Sequence, residues 1–257
     1  MKTISLGVVA ASFALSFIAP SHADTVLLGN PHFEGLGSFY ATGVSGDGSA
    51  VVGYGPNASG NTEAVELSGA SLKGQGSSGT LTGLGFLNGP SGSGSNGTSQ
   101  AFGTNYDGSV VVGMSYYTFN GNPTYAYQAF RWSGGTMTGL PFLSGLSGVE
   151  SVANAVSSNG SVVVGWSQSS NGAITPGDRI EAFRWSGGTT TGLGYLPGYI
   201  RTVATGTNAD GSVVVGTSFG NTAQAFRWSG GTMTGLGFLP GGAIAKQPQQ
   251  MRVARLS

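Results

Sequence analysis

Ala41-Thr-Gly-Val-Ser-Gly-Asp-Gly-Ser-Ala-Val-Val-Gly53 recurs at Ala101, Ala153 and Ala204, always as Ala-x-(Gly/Ala)-x-x-x-(Asp/Asn)-Gly-Ser-(Val/Ala)-Val-Val-Gly. A second block follows each copy. It reads Gln128-Ala-Phe-Arg-Trp-Ser-Gly-Gly-Thr-Met-Thr-Gly-Leu140, with counterparts starting at Glu181 and Gln224. The first repeat carries a worn version, Glu63-Ala-Val-Glu-Leu-Ser-Gly69, resumed at Thr80-Leu-Thr-Gly-Leu84 after an insertion. A period of about fifty residues means stacked supersecondary units, none of which buries its apolar face alone.

Each period predicts four short strands. The Ala-x-Gly segment forms the first. Asp47-Gly48, Asp107-Gly108, Asn159-Gly160 and Asp210-Gly211 are expected at the centres of tight hairpin turns, because both residue types tolerate positive φ. The Val run is the second strand, and its unbroken β-branched residues predict burial on both faces. In Ala-Phe-Arg-Trp, the third strand, Phe and Trp share one face and Arg takes the other. Ser-Gly-Gly makes the next turn, and Thr-x-Thr-Gly-Leu-Gly-x-Leu reads as the fourth strand.

Four antiparallel strands per period predict an all-β repeat protein of four-stranded antiparallel blades, β-propeller-like. A β-solenoid is the alternative, although its coils are shorter and lack two hairpin turns. The repeats span 41–100, 101–152, 153–203 and 204–244. Before them, an extension over 24–40 carries Glu34-Gly-Leu-Gly-Ser-Phe39, which resembles a stray fourth strand. After them, the tail 245–257 is more basic and matches nothing in the repeat. It reads as the end of a truncated or frame-shifted longer protein, or as a polar cap, so an open or incomplete ring is expected.

The N-terminus has its own logic. Met1-Lys2 precedes an uncharged apolar run over residues 4–19, then Pro20 and Ser21-His22-Ala23. Small residues at −3 and −1 mark a secretory signal peptide over 1–23, cleaved between Ala23 and Asp24. An uncleaved anchor fits less well, since the run falls short of the roughly 20 residues a spanning helix needs. No later segment is long and apolar enough to span a membrane.

There is no cysteine, which excludes disulfides and thiol chemistry, and only 8% of residues are charged. Ten basic and ten acidic side chains, one basic lost with the leader, leave no electrostatic footprint for nucleic acid or an anionic membrane. Glycine is abundant, at 48 residues, yet it recurs at fixed places among Val, Phe and Trp, as turns in a β chain require.

The paired blocks, Asp-Gly-Ser-Val-Val-Val-Gly and then Ala-Phe-Arg-Trp-Ser-Gly-Gly-x-x-x-Gly-Leu, resemble the HAF-repeat family of bacterial extracellular proteins, over about residues 35–242. The naming His-Ala-Phe of that family is Gln128, Glu181 or Gln224 followed by Ala-Phe here. The resemblance implies export from a Gram-negative cell, as an autotransporter passenger or a cell-surface protein. It would be periplasmic where the export partner is missing. It carries over no enzymatic activity.

Candidate chemistry is sparse. His22 leaves with the signal, so a Ser-His-Asp triad would have to be built on His32. Paired carboxylates for glycoside hydrolysis could come from Glu63 with Glu66 or Asp178 with Glu181, though scattered surface acids explain them more simply. Asp47, Asp107 and Asp210 could be calcium ligands, but calcium wants about 6–8 oxygens, and Asn159 fills the same slot in the third repeat. Arg131, Arg184 and Arg227 are expected to pack between blades with their heads on carbonyls or on a neighbouring Glu, and Trp132, Trp185 and Trp228 to be core. No cofactor or metal is implied.

The variable part lies between Val-Val-Gly and Ala-Phe: residues 54–63, 114–128, 166–181 and 217–224. Variable connections over a rigid repeat are where binding resides. The connection over 115–127 concentrates Tyr116, Tyr117, Phe119, Asn120, Tyr125 and Tyr127, which suit a glycan or a host cell-surface protein. Folding of these aromatics onto the blade edge is the competing reading. The expected role is thus a secreted or surface-exposed binding and adhesion module. A structural passenger or stalk segment is the alternative, and a polysaccharide-acting enzyme is a distant third. N-terminal sequencing of the exported protein should begin at Asp24; a chain that keeps residues 1–23 would overturn the leader assignment.

Overall fold

The computed structural model describes residues 39–68, 79–87, 95–119, 122–144, 150–168 and 179–240; side chains at 95–96, 117–119 and 122–125 are not part of that description. Among these residues the chain is all β, with no helix. Repeat 1 holds β1 (Tyr40–Val44), β2 (Ala50–Pro56), β3 (Thr62–Ser68) and β4 (Thr80–Gly83). Repeat 2 holds β5 (Ser95–Thr104), β6 (Val110–Phe119), β7 (Asn122–Ser133) and β8 (Thr136–Gly139). Repeat 3 holds β9 (Glu150–Val156), β10 (Val162–Gln168), β11 (Ile180–Ser186) and β12 (Thr189–Gly192). Repeat 4 holds β13 (Arg201–Thr207), β14 (Val213–Phe219), β15 (Ala223–Ser229) and β16 (Thr232–Gly235). The leader, His32, Asp178, the 24–38 extension and the 245–257 tail lie outside the described residues.

Within each repeat the strands pair antiparallel in chain order. Single parallel bridges, Tyr127 with Glu150 and Ile180 with Arg201, join repeats 2, 3 and 4. Repeat 1 remains a separate four-stranded sheet, and the first strands β1, β5, β9 and β13 stand side by side. No described strand pairs repeat 4 back to repeat 1, so the sheets do not close.

The Ala-x-Gly signature is a β-bulge. In every repeat the register between first and second strand shifts there, and Thr42, Phe102, Asn154 and Thr205 are the extra residues. The Gly ending each Val run is forced by the same feature. A Cβ on Gly53, Gly113, Gly165 or Gly216 would overlap the carbonyl of Tyr40, Gln100, Val152 or Val203. Two bulge side chains then tie successive repeats: Thr42 Oγ1 donates to Ala101 O, and Asn154 Nδ2 to Ala204 O, both at 2.7 Å.

The Asp-Gly turns differ from the sequence expectation. Gly48 N–H donates to Ser45 O at 3.0 Å, which places Asp47 and Gly48 third and fourth in the turn, not at its centre. Gly48 carries the positive φ, 72°. Asp47 contributes an acceptor: its Oδ1 takes the Ser49 N–H at 2.9 Å and the Ser49 hydroxyl at 2.7 Å. Asn159 Oδ1 does the same for Ser161 at 3.0 and 2.7 Å, so the slot asks for an oxygen and not a charge. The Ser-Gly-Gly turns follow expectation, with both glycines at positive φ as a two-residue type I′ hairpin requires. The fourth strand is shorter than its motif, because after Gly139 the chain leaves the ladder and Leu140 and Leu143 turn inward.

Those leucines explain where the core sits. Phe130 packs with Leu84, Leu87 and Val52 of repeat 1; Phe183 with Leu140, Val110 and Val112 of repeat 2; Phe226 with Leu193, Leu196, Val162 and Val164 of repeat 3. Each cluster mixes two successive repeats. Trp132, Trp185 and Trp228 pack on the same three clusters, while Arg131 and Arg184 reach the other way and donate to Gly160 O and Gly211 O of the following turn. Glu66 occupies the Arg position in repeat 1, where it is buried and its carboxyl is pushed up by burial. Repeat 4 has no described successor. Leu236 and Leu239 are 58% and 84% exposed, where Leu193 and Leu196 are both 5%.

Asp210→Asn should leave the urea midpoint unchanged, since Asn159 already does this work. Gly211→Val should cost about 2–3 kcal/mol, because φ is +73° and a Cβ would meet the Val162 side chain. A marked loss with the Asn variant would indicate that the turn needs the charge.

Candidate functional site

Asp-Gly or Asn-Gly turns close one end of every repeat, with Ser-Gly-Gly hairpins beside them in repeats 2, 3 and 4, while the β3–β4 connection of repeat 1 lies mostly outside the described residues. The β2–β3-type connections and the links between repeats emerge together at the other end. The residues that differ most between repeats gather there. The stretch 115–127, read from sequence as a loop, is instead the outer half of a two-stranded ribbon. Pairing between β6 and β7 continues through Tyr116 with Tyr127, Tyr117 with Ala126 and Thr118 with Tyr125, then shifts to Phe119 with Asn122. Tyr, Thr and Phe are strand formers that gain from cross-strand pairing, which is why the connection extends the hairpin. Asn120 lies outside the described residues, as do the side chains of Tyr117, Phe119 and Tyr125.

At the base of the ribbon the two remaining tyrosines turn toward the body of the protein. Tyr127 is buried, and its ring lies 5.3 Å from Tyr116 and, edge to face, 6.0 Å from Trp166. Phe102, Met114, Tyr127, Val152, Asn154 and Trp166 line a cleft of about 180 Å³ between repeats 2 and 3. Behind it, Glu150 is buried and accepts the Tyr127 hydroxyl at 2.9 Å. Burial pushes the Glu150 carboxyl up, partly offset by that hydrogen bond. The Tyr127 and Tyr116 phenols are pushed up too, first by burial and then by the Glu150 charge.

Sequence reasoning named Tyr116 and Tyr127 but missed Phe102, Trp166 and Glu150. The signal lay in the repeat itself. Phe102 stands where the other repeats have Thr42, Asn154 and Thr205, and Trp166 where they have Tyr54, Met114 and Thr217. Tyr127 replaces Thr62, Ile180 and Ala223, and Glu150 aligns with Thr98 and Arg201. A second hollow of about 230 Å³ lies between repeats 3 and 4, around Gly198, Ile200, Arg201, Phe219, Gly220 and Asn221; Arg201 Nε is buried there without a partner.

Of the carboxylate pairs named from sequence, Glu63 and Glu66 do not converge, and the partner of Glu181, Asp178, lies outside the described residues. Glu63 and Glu66 are three residues apart on β3 and so point to opposite faces. Glu63 instead accepts the Gly85 N–H at 2.9 Å and the Asn57 amide at 2.8 Å. Glu181 accepts the Gly194 N–H at 3.0 Å and the Tyr195 hydroxyl at 3.4 Å; burial, with the Glu181 charge, pushes Tyr195 up to about 12. Gln128 Nε2, at the equivalent position, donates to Leu140 O at 2.8 Å. The polar residue before Ala-Phe therefore clamps the chain as it leaves the fourth strand. Among the described residues no group of three or more His, Asp or Glu is placed to hold a metal ion, and no helix could cross a membrane.

No family model matches the chain, and no curated protein matches it. Among solved structures it is similar to TolB from Acinetobacter baumannii, with 14% identity and a TM-score of 0.43 over 74% of this chain and 41% of that one. It is also similar to a putative TolB from Agrobacterium tumefaciens, with 16% identity and a TM-score of 0.46 over 82% of this chain and 71% of that one. The chain thus spans less than half the length of the first.

Glu150 binds its proton more tightly folded than unfolded, so its contribution to stability falls as pH rises above the ordinary carboxylate range. Glu150→Gln keeps an acceptor for Tyr127 and removes the ionisation. The Tm near neutral pH should rise by about 2–4 °C, and part of the decline in stability as pH rises above the ordinary carboxylate range should vanish, Glu66 keeping its own share. A lower Tm would show that the buried charge stabilises.

Proposed function

We propose that this protein is a secreted or surface-exposed binding module of a Gram-negative bacterium, built of HAF-like, propeller-type blades that hold its long-connection end toward a partner. The observation that carries the reading is the contrast between the two ends. Asp-Gly or Asn-Gly turns close one end in all four repeats, and Ser-Gly-Gly hairpins join them there in repeats 2, 3 and 4. At the other, among the described residues, repeat 2 extends its second and third strands to a ten-residue β6 and a twelve-residue β7, and the neighbouring cleft replaces scaffold residues with aromatics. Departures of this kind serve contacts that the scaffold does not need. A glycan or a protein on a cell surface fits the Tyr- and Asn-rich stretch 115–127, which carries Tyr117, Phe119 and Tyr125 on the ribbon and Asn120 between its strands in sequence. Export rests on the leader ending at Ala23, with a periplasmic location if the export partner is missing.

The second reading, a structural passenger or stalk segment, is favoured by the outer face of repeat 4. Leu236, Phe238 and Leu239 are exposed there, as in an open or incomplete ring that a further blade would continue. Trimming the ribbon separates the two. Residues 117–126 are replaced by Gly220-Asn-Thr222, the equivalent segment of repeat 4, which leaves Tyr116 and Tyr127 in place. Retention on glycan arrays and host-cell surfaces should then fall by about tenfold or more, as loss of aromatic anchors does. Unchanged retention by a folded variant would favour the stalk.

A further inference from the structure

We infer that the cleft between repeats 2 and 3 binds a small alkylammonium group of the trimethylammonium type, held among the rings of Phe102, Tyr127 and Trp166 with the Glu150 carboxylate behind them. The inference rests on the reading that the long-connection end is the binding end, and it names the chemistry that end accepts.

The repeats supply the control. Equivalent gaps use the same bulge, the same Gly and the same tight pairing, yet the positions of Phe102 and Tyr127 carry Asn154 and Ile180 in the gap between repeats 3 and 4. There Thr217 replaces Trp166, and Arg201 replaces Glu150 with opposite charge. None of the four residues is therefore required to stack one repeat on the next. Phe102 even forgoes the tie that Thr42 and Asn154 make to the next repeat's Ala carbonyl.

The chemistry left in the cleft selects a cation. Aromatic faces attract positive charge through the ring quadrupole, most strongly where water is excluded and with Trp the best face. Tyr127 and Trp166 meet edge to face at 6.0 Å, giving two differently oriented walls, with Phe102 and Met114 completing the lining. Glu150 adds a carboxylate 2.9 Å from the Tyr127 hydroxyl. A sugar is less suited, since its several hydroxyls each need partners, whereas Asn154 and Tyr127, the lining residues that carry an amide or a hydroxyl, each already donate elsewhere, to Ala204 O and Glu150. A trimethylammonium head needs no hydrogen bond. The cleft, at about 180 Å³, suits a small head group and not an extended chain.

The test is calorimetric titration of the full exported chain with choline chloride, and in parallel with 3,3-dimethyl-1-butanol, its uncharged analogue of the same shape. Choline should bind saturably and the neutral analogue at least about tenfold more weakly. Trp166→Thr, which copies repeat 4, should weaken choline by about tenfold or more, and Glu150→Gln by about threefold or more, with far-UV circular dichroism unchanged. No saturable choline binding, equal binding of the neutral analogue, or binding untouched by both variants overturns the inference. Phosphatidylcholine vesicles, with phosphatidylglycerol vesicles as control, assign the source. Capture of the former points to a lipid head group, and choline binding without capture to a free amine; both support the site. The ribbon-trimmed variant keeps the outcomes apart. Lost surface retention with no choline binding by the parent overturns this inference alone, whereas choline binding with unaltered retention counts against the ribbon alone.

Discussion

Everything in this molecule depends on burying one phenylalanine from each of repeats 2, 3 and 4 in the repeat before it. Phe130, Phe183 and Phe226 are at most 1% exposed, and each is enclosed by Val and Leu side chains of the repeat before it. Truncating such a side chain to Ala typically costs about 3–5 kcal/mol, a large part of a domain's net stability. Since each cluster takes residues from both sides of a gap, a single repeat has no core. Repeat 1 shows the converse: with no described predecessor, it carries Val65 in place of Phe and Glu66 in place of Arg. The fold is a property of the stack.

Burial at the gaps also dictates which polar groups recur. In repeats 2, 3 and 4 a hydroxyl two residues before the first-strand Ala accepts the N–H of the third-strand Ala in the preceding repeat. Ser99 takes Ala64, Ser151 takes Ala129 and Thr202 takes Ala182, each at 2.9 Å. An unpaired N–H at that depth would cost about as much as the hydrogen bond contributes or more, so the slot admits only Ser or Thr. Arg131 and Arg184 meet the carbonyl of the following turn for the same reason. Glu66 cannot donate when ionised, and burial answers by favouring its protonated form.

With the gaps so constrained, and one end held by short turns apart from the 69–79 insertion of repeat 1, most of the described variation lies at the other end. There the ribbon of repeat 2 and the aromatic cleft beneath it are joined through Tyr116 and Tyr127, adjacent in the ladder and 5.3 Å apart. The same tyrosine pair thus roots the ribbon and walls the cleft. A surface contact at the ribbon and a small group in the cleft would be neighbours on one face. Two modes of recognition could therefore act on one partner without any change in the scaffold.

Much of this was legible in the residues. Period, strand count, the Ser-Gly-Gly hairpins and the opposed faces of Phe-x-Trp and Arg follow from local geometry, which a sequence states directly. The Asp-Gly turns were found but misplaced by a position, because a dipeptide preference does not reveal which carbonyl closes the turn. The ribbon passed for a loop, since Asn120, Gly121 and Pro123 suggest a break while the alternating tyrosines that extend the ladder gain only from pairing. Glu63 and Glu181 read from sequence as scattered surface acids, whereas their carboxylates accept the N–H of Gly85 and Gly194, contacts across 22 and 13 residues. Phe102, Tyr127, Glu150 and Trp166 were plain letters in four separate strands. By itself the sequence determined the repeat, its strands and the residue types that each gap requires, because those depend on neighbours along the chain. Only the tertiary structure decided that the four departures from the repeat meet in one cleft, because that depends on which repeats lie side by side and how their strands are registered.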